Sequence, residues 1–258
     1  MLGTDFPTGS PFWIDLGSPD TAAAVAFYGA VFGWEFVSAG PEAGGYGFFR
    51  KDGRTAAGLG PLTEEGARPA WMTYFRTDDI EATVREVTAG GGRVRCGPQN
   101  VGEGRMAQCT DPQGAHFAVL QSAAGLERVS DNDALVWIEL YVADPVAAIR
   151  FYEGLFGWRS EEMKDTDMTY EVLSSRTEDE KQDTSFGGVA ALQDPRHEAR
   201  WVPYFAVMDV NAAVTTARSE GGTVLLPATD VPDGGRVAWL ADPGGAIFAV
   251  LKPNPHQS

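Results

Sequence analysis

At 258 residues, 43% hydrophobic and 11% aromatic, the chain has material for about two domains of ordinary size, each with its own core. A formal net charge of -16 repels phosphate backbones and anionic lipid headgroups, which argues against nucleic-acid and membrane partners. Two cysteines, Cys96 and Cys109, are too few for a disulfide framework or a thiolate metal site, and no basic leader or bilayer-length apolar run is present, so a cytoplasmic protein is expected.

The first segment of note, Trp13–Trp34, returns as Trp137–Trp158. Asp15 aligns with Glu139, Asp20 with Asp144, Phe27-Tyr28 with Phe151-Tyr152, and Gly33-Trp34 with Gly157-Trp158, at a constant offset of 151 − 27 = 124. An internal repeat of this length sets the fold before any local reading does. The apolar run with one acid at Phe12–Leu16 predicts a strand. Ser18-Pro19-Asp20 then starts a helix, with Ser18 or Asp20 as its cap. Ala24, Phe27, Tyr28, Val31 and Phe32 recur at helical spacing as a core-facing stripe, and Gly33 ends it. Trp34–Val37, Tyr46–Lys51 and Thr55–Leu59 predict three further strands.

The pattern restarts with a strand at Trp71–Arg76 and a helix from Asp79 to Ala89, stopped by Gly90-Gly91-Gly92. Arg93–Cys96, Arg105–Thr110 and His116–Gln121 complete the second unit, the last two strands being joined by the turn Asp111-Pro112-Gln113-Gly114. Those glycines follow a helix, so they are stops and not phosphate cradles, which precede helices. The second half repeats this with strands at Trp201–Val207, Val224–Pro227, Arg236–Ala241 and Ala246–Leu251, and a helix from Asp209. Here the offset is 209 − 79 = 130, so about six residues are inserted, in the acidic stretch Ser174–Thr184 that reads as a solvated loop. The predicted fold is α+β, four βαβββ units in two tandem domains over 10–122 and 134–252, with residues 123–133 as linker.

The paired βαβββ units, the FY…GW helix, the D-[IV] helix start and the closing DP-x-G-x3-A-V-L resemble the vicinal oxygen chelate superfamily of glyoxalases, bleomycin-resistance proteins and extradiol dioxygenases. The tandem form with its WIDL and WIEL openings is similar to a glyoxalase-like actinobacterial group that includes a mycobacterial 27 kDa antigen. The resemblance implies domains whose two βαβββ units curl their mixed sheet into an open cup, packed as an internal pseudo-dimer that is compatible with a monomeric chain. It also implies where metal-dependent members place His, Glu or Gln ligands. One lies fourteen residues before the FY phenylalanine, at Trp13 and Trp137. Another lies seven before the helix-start Asp, at Met72 and Val202, and a third four after the DP-x-G glycine, at Ala118 and Ala249. None of these side chains binds a hard or borderline divalent ion. No metal or other cofactor is expected, a divalent metal bound in some other way being the disfavoured alternative.

Strand alternation puts Asp15 on the face of Trp13, Glu139 on that of Trp137, Tyr74 and Arg76 on that of Met72, Tyr204 on that of Val202 and His116 on that of Ala118. An aromatic, apolar concavity with a few polar groups suits a small-molecule ligand. Trp13, Tyr74, Arg76, His116, Trp137 and Tyr204 are therefore the candidate ligand-binding residues, against the alternative that the tryptophans merely fill the core and His116 is structural. Asp15 and Glu139 are the candidate catalytic acids, because a carboxylate on an apolar strand needs a partner or a raised pKa. A buried structural pair with Arg76, Arg105 or Arg236 is the competing explanation. His197, in a polar loop, and His256, in the tail, lie near no nucleophile. Two functions follow: metal-independent binding of a small aromatic or apolar molecule, as in sequestration-type resistance proteins, or a glyoxalase-type lyase, isomerase or dioxygenase using Asp15 and Glu139 in acid–base roles.

Overall fold

The computed structural model describes residues 2–62, 66–163, 170–176, 183–194, 196–232 and 234–254. The first βαβββ unit comprises β1 (Pro11–Ser18), α1 (Thr21–Phe32), β2 (Glu35–Ser38), β3 (Gly47–Lys51) and β4 (Arg54–Pro61). The second comprises β5 (Ala70–Arg76), α2 (Ile80–Ala89), β6 (Arg93–Val101), β7 (Gly104–Thr110) and β8 (His116–Gln121). The third has β9 (Leu135–Val142), α3 (Pro145–Phe156), β10 (Arg159–Glu162), β11 (Tyr170–Ser174) and β12 (Ser185–Ala191). The fourth has β13 (Arg200–Ala206), α4 (Val210–Ser219), β14 (Thr223–Val231), β15 (Gly235–Ala241) and β16 (Ile247–Lys252). Among the described residues these make two mixed eight-stranded sheets, ordered β2-β3-β4-β1-β5-β8-β7-β6 and β10-β11-β12-β9-β13-β16-β15-β14. The fold is α+β, as the repeat predicts.

Local chemistry explains the boundaries. Asp20, Asp79, Asp144 and Asp209 precede the four helices, and each carboxylate accepts an N–H from the first turn, Ala23, Ala82, Ala147 and Ala212 respectively. Asp20, rather than Ser18, is thus the cap of α1. Gly33 and Gly157 end α1 and α3 at φ of 66° and 69°, a left-handed conformation that glycine enters without a steric penalty. Strands β6 and β14 run on to Val101 and Val231, well past the predicted Cys96 and Pro227. Their pairing slips at Val94/Cys96 and Cys96/Gln99, and at Val224/Leu226 and Leu226/Thr229, so bulges carry the strands through residues that break the alternation.

Chain contacts divide the protein into two compact units that do not follow the two halves of the repeat. The first unit takes 1–13, 72–125 and 137–202; the second takes 14–71, 126–136 and 203–258. In the second unit α1 meets β16: Phe27 lies 6.1 Å from Phe248 and Tyr28 5.5 Å, while Phe32 packs 5.1 Å from Phe205 of β13. Tyr28 Oη donates to Asp242 Oδ2 at 3.1 Å and accepts Trp71 Nε1–H at 3.0 Å. In the first unit α3 does the same against β5 and β8. Phe151 lies 6.3 Å from Phe117, Tyr152 Oη donates to Asp111 Oδ2 at 3.2 Å, and Trp201 Nε1 donates to Tyr152 Oη at 3.1 Å. The FY helix of one unit of the repeat therefore grips the DP turn of another, which is why both motifs recur.

Residues 123–133, expected as linker, hold a segment that is tied to β4. Glu127 N and Arg128 N donate to Thr55 O, Thr55 N donates to Glu127 Oε2 at 2.7 Å, and Arg54 pairs with Asp131 at 2.8 Å. Trp34 Nε1 donates to Asp133 O at 2.8 Å. The acids and amides of this segment thus satisfy a strand end, in addition to spanning a gap.

Two carboxylate–tyrosine sites as the candidate functional site

Glu139 is central on β9, paired through its backbone with Gly188 of β12. Its side chain is 8% exposed, and such burial requires hydrogen bonds to the carboxylate. They come from Tyr170, whose Oη donates to Oε1 at 2.6 Å, and from Tyr141, whose Oη donates to Oε2. Trp137 Nε1 donates in turn to Tyr170 Oη at 2.9 Å. Burial, then the adjacent Glu139 charge, push the Tyr170 hydroxyl well above its ordinary pKa, so it stays a donor. Tyr170 reaches the acid because Gly188 leaves it room: a Cβ there would stand 2.2 Å from Tyr170 Oη.

The equivalent site uses Asp15 of β1, paired with Gly58 of β4. Tyr46 Oη donates to Asp15 Oδ2 at 3.2 Å, and a Cβ on Gly58 would stand 2.1 Å from the same hydroxyl. Acid, tyrosine and glycine thus recur together in both halves of the repeat. Neither tyrosine nor glycine is among the residues expected from strand alternation. Their signal is in the chain nonetheless, since Tyr46 and Tyr170 differ by 170 − 46 = 124, and Gly58 and Gly188 by 188 − 58 = 130.

The other candidates fall in several places. Trp13 and Trp137 are half-buried on β1 and β9. Tyr74 is buried on β5 and registers with Ala118; Tyr204 is buried on β13, registers with Ala249 and accepts Trp239 Nε1–H at 3.0 Å. Arg76 donates to Phe6 O and pairs with Asp78 at 2.7 Å, at the edge of a polar hollow of about 530 Å³ that Asn100, Arg105 and Gln121 also line. Arg105 pairs with Glu81 and Arg236 with Asp230, so each of the three arginines offered as partners for Asp15 or Glu139 has an acid of its own. His116, expected on the ligand-facing side of its strand, opens β8 with its side chain exposed and its Nδ1 3.3 Å from Arg95 Nη1. His197 is exposed in its loop, and His256 lies outside the described residues.

The positions that would carry a metal are Trp13, Met72 and Ala118 in one half and Trp137, Val202 and Ala249 in the other. Indole N–H is a donor only, the aliphatic groups of Ala118, Val202 and Ala249 offer no lone pair, and the Met72 thioether is a soft ligand that does not suit a hard or borderline divalent ion. Among the described residues no three His, Cys, Asp or Glu side chains are grouped to hold a metal ion. The residues present do not fit the superfamily's divalent metal. No described helix is long and apolar enough to cross a membrane.

Comparison with known proteins agrees with the fold. The chain is 36% identical to CFP32 of Mycobacterium tuberculosis (strain CDC 1551 / Oshkosh), which carries a provisional glyoxylase name, over 98% of each chain. It is also 36% identical to the anthracycline biosynthesis protein DnrV of Streptomyces peucetius, over 96% of this chain and 95% of that one. Among solved structures, the Mn(II)-bound glyoxalase from Novosphingobium aromaticivorans superposes with a TM-score of 0.63 at 15% identity, covering 97% of this chain and 87% of that one. Residues 11–119 and 134–250 each match the sequence signature of the Glyoxalase/Bleomycin resistance protein/Dioxygenase superfamily, and the chain belongs to that superfamily.

Proposed function

We propose that this protein binds a small, flat, aromatic or apolar molecule without the help of a metal, in the manner of the sequestering members of its superfamily. The observation that carries this reading is the donor set: Trp, Met, Val and Ala stand where metal ligands are expected, in both halves of the repeat. Of these, Trp13, Met72 and Trp137 are half-buried and offer apolar and ring surface, and Asp15, also half-buried, supplies a polar anchor, the composition of a ligand site more than of a Lewis-acid centre. Two relatives at 36% and 34% identity carry names in anthracycline biosynthesis, which favours a fused-ring aromatic ligand.

The test is metal content by inductively coupled plasma mass spectrometry on untagged protein, followed by titration of chelator-treated protein with naphthalene. Metal well below one per chain and binding that survives chelation are expected. Near-stoichiometric zinc, nickel, iron or manganese, or binding lost with the metal, overturns the reading.

A second reading has its own support. Glu139 is held by the hydroxyls of Tyr170 and Tyr141 and Asp15 by that of Tyr46, so each acid is fixed in one orientation on its strand, the positioning that acid–base work requires. In that reading the protein is a glyoxalase-type lyase, isomerase or dioxygenase with Asp15 or Glu139 in the acid–base role. Turnover of an identified substrate that is unchanged in Asp15→Asn and Glu139→Gln would sink it.

A further inference from the structure

The ends of β6, β7 and β8 carry a row of polar side chains that recurs in the other half of the repeat with one decisive exchange. Asn100 stands opposite Arg105 across β6 and β7, and Arg105 opposite Gln121 across β7 and β8. The counterparts are Asp230, Arg236 and Lys252, in the same register on β14, β15 and β16. Directly opposed residues share a face of the sheet, so each row sets three polar side chains beside one another. In the second half the row is closed from within. Asp230 Oδ1 accepts Arg236 Nη1–H at 2.8 Å, and Arg236 Nη2 donates to Asn211 Oδ1 at 3.2 Å and to Ala228 O at 3.1 Å. In the first half asparagine stands in place of that acid. Arg105 Nη2 donates to Glu81 Oε1 at 2.8 Å, and among the described residues Glu81 is its one hydrogen-bond partner. Gln121 Oε1 is occupied by Ile80 N–H, which leaves the NH2 group to donate, and the Asn100 amide has no side-chain partner among the described residues. These three side chains line the polar hollow of about 530 Å³, with Arg76, Asp78 and Glu103 also on its wall.

We propose that this hollow is a second binding site, for a singly charged carboxylate whose oxygens accept from Arg105, Asn100 and Gln121 as the Asp230 carboxylate accepts from Arg236. The comparison of the two rows identifies the ligand chemistry. Where the chain supplies a carboxylate across from the arginine, the guanidinium is engaged by it; where the chain supplies an amide, the guanidinium keeps donors for a carboxylate from outside. The planar fork of arginine matches a carboxylate, and the two amides add N–H donors suited to a group that only accepts. Asp78 is engaged by Arg76 at 2.7 Å, but Glu103 and Glu81 remain close to the row, and their charges favour one negative charge on the ligand over the two of a phosphate dianion. All the lining residues fall within 72–125 of one compact unit, so the site is complete in that unit and stands independently of the binding reading above.

Titration of isotope-labelled protein with sodium acetate at neutral pH, against sodium chloride at matched ionic strength, reads the site by NMR through the side-chain signals of Asn100, Gln121 and Arg105 Nε–H. Saturable shifts with acetate, absent with chloride and absent at Arg236 Nε–H, are expected. Asn100→Asp, which places the acid of the second half across from Arg105, should weaken acetate binding by about tenfold or more, because it engages the guanidinium and repels the anion. Asn100 is exposed on an edge strand, so the exchange leaves the fold intact. Arg105→Gln should weaken binding to a similar extent, and Glu81→Gln, which releases Nη2, should strengthen it. Shifts that rise linearly with acetate, shifts of equal size at Arg236, or an affinity that Asn100→Asp leaves within about twofold overturn the site. Saturation by inorganic phosphate without saturation by acetate overturns the carboxylate assignment.

Discussion

Two kinds of polar network are written twice in this chain, and only one of them is written the same way. Tyr28, Asp242 and Trp71 are joined at 3.1 and 3.0 Å, and Tyr152, Asp111 and Trp201 at 3.2 and 3.1 Å. The strand acids, by contrast, differ in length, in their tyrosine donors and in their neighbours. The first kind is buried throughout, and a buried polar chain must be satisfied at every link or lose stability. The second is partly open at Asp15, where substitution costs less, and there Gly17, Phe48 and Gly60 have parted from Tyr141, Val172 and Ala190. The invariant networks hold helices to turns; the divergent ones are where the two halves of the repeat can differ in function.

The largest effect should come from cutting the invariant networks. Asp242 Oδ1 accepts Ala246 N–H at 2.9 Å and its Oδ2 accepts Tyr28; Asp111 accepts the N–H groups of Gln113 and Ala115 besides Tyr152. Asp242→Ala and Asp111→Ala strand these donors in the core, at about 2–4 kcal/mol each. Urea denaturation at neutral pH should show the two losses to be alike. Values differing by more than about 2 kcal/mol, larger than the spread expected of one mechanism, would break the equivalence of the two networks.

The next effect separates the strand sites. Gly188→Ala puts a methyl 2.2 Å from Tyr170 Oη, and Gly58→Ala puts one 2.1 Å from Tyr46 Oη, so either tyrosine must leave its acid. Overpacking of this kind costs about 1–3 kcal/mol. The Gly188 variant should lie higher in that range, because Glu139 is the more buried acid and also holds the Tyr141 hydroxyl, and it should shift the emission of Trp137, whose indole N–H Tyr170 accepts. Thermal unfolding and fluorescence of the two variants check this. Equal losses would mean that the Asp15 site is as tightly built as its counterpart.

Much of this architecture was legible in the chain because the repeat states it twice. The offset of 124 places β1, α1 and β2 upon β9, α3 and β10, and helix caps are readable because a carboxylate bonds to N–H groups two or three residues away. The cores of the compact units were not legible. Tyr28 and Asp242 are 214 residues apart, and nothing in either motif says which copy of the DP turn a given helix will hold. The ends of β6 and β14 escaped for another reason, since bulges carry pairing through Pro98 and Pro227, where alternation fails. Tyr46 and Tyr170 sit at strand starts outside the apolar pattern, so the repeat offset alone points to them. The exposed His116 shows the limit of alternation, which assigns a face and says nothing about what covers it.

The smallest effect, and the one that reads the invariant networks without dismantling them, is on pH. Burial is the main influence on Asp111 and on Asp242, and it raises both above the ordinary carboxylate value despite the N–H groups that pull the other way. A native pKa above the unfolded one means that the folded chain holds the proton more firmly between those two values. The contribution of these groups to stability is therefore greatest at acid pH and falls as pH rises through that window. Glu127 has the opposite sign: hydrogen bonding from Thr55 N–H lowers it, so its contribution is full above the ordinary value and is lost as pH falls through its folded pKa. Asp111→Asn and Asp242→Asn together should flatten the decline in urea midpoint as pH rises from the ordinary carboxylate range, whereas Glu127→Gln should remove part of the loss on the acid side. Because Asn keeps an oxygen for the turn N–H groups, the fold should survive the exchange where alanine damages it. A double Asn variant with the full wild-type decline would show that Asp111 and Asp242 are ionised alike in the folded and unfolded chains, and that the two networks are ordinary charged hydrogen bonds instead of buried acids kept under strain by desolvation.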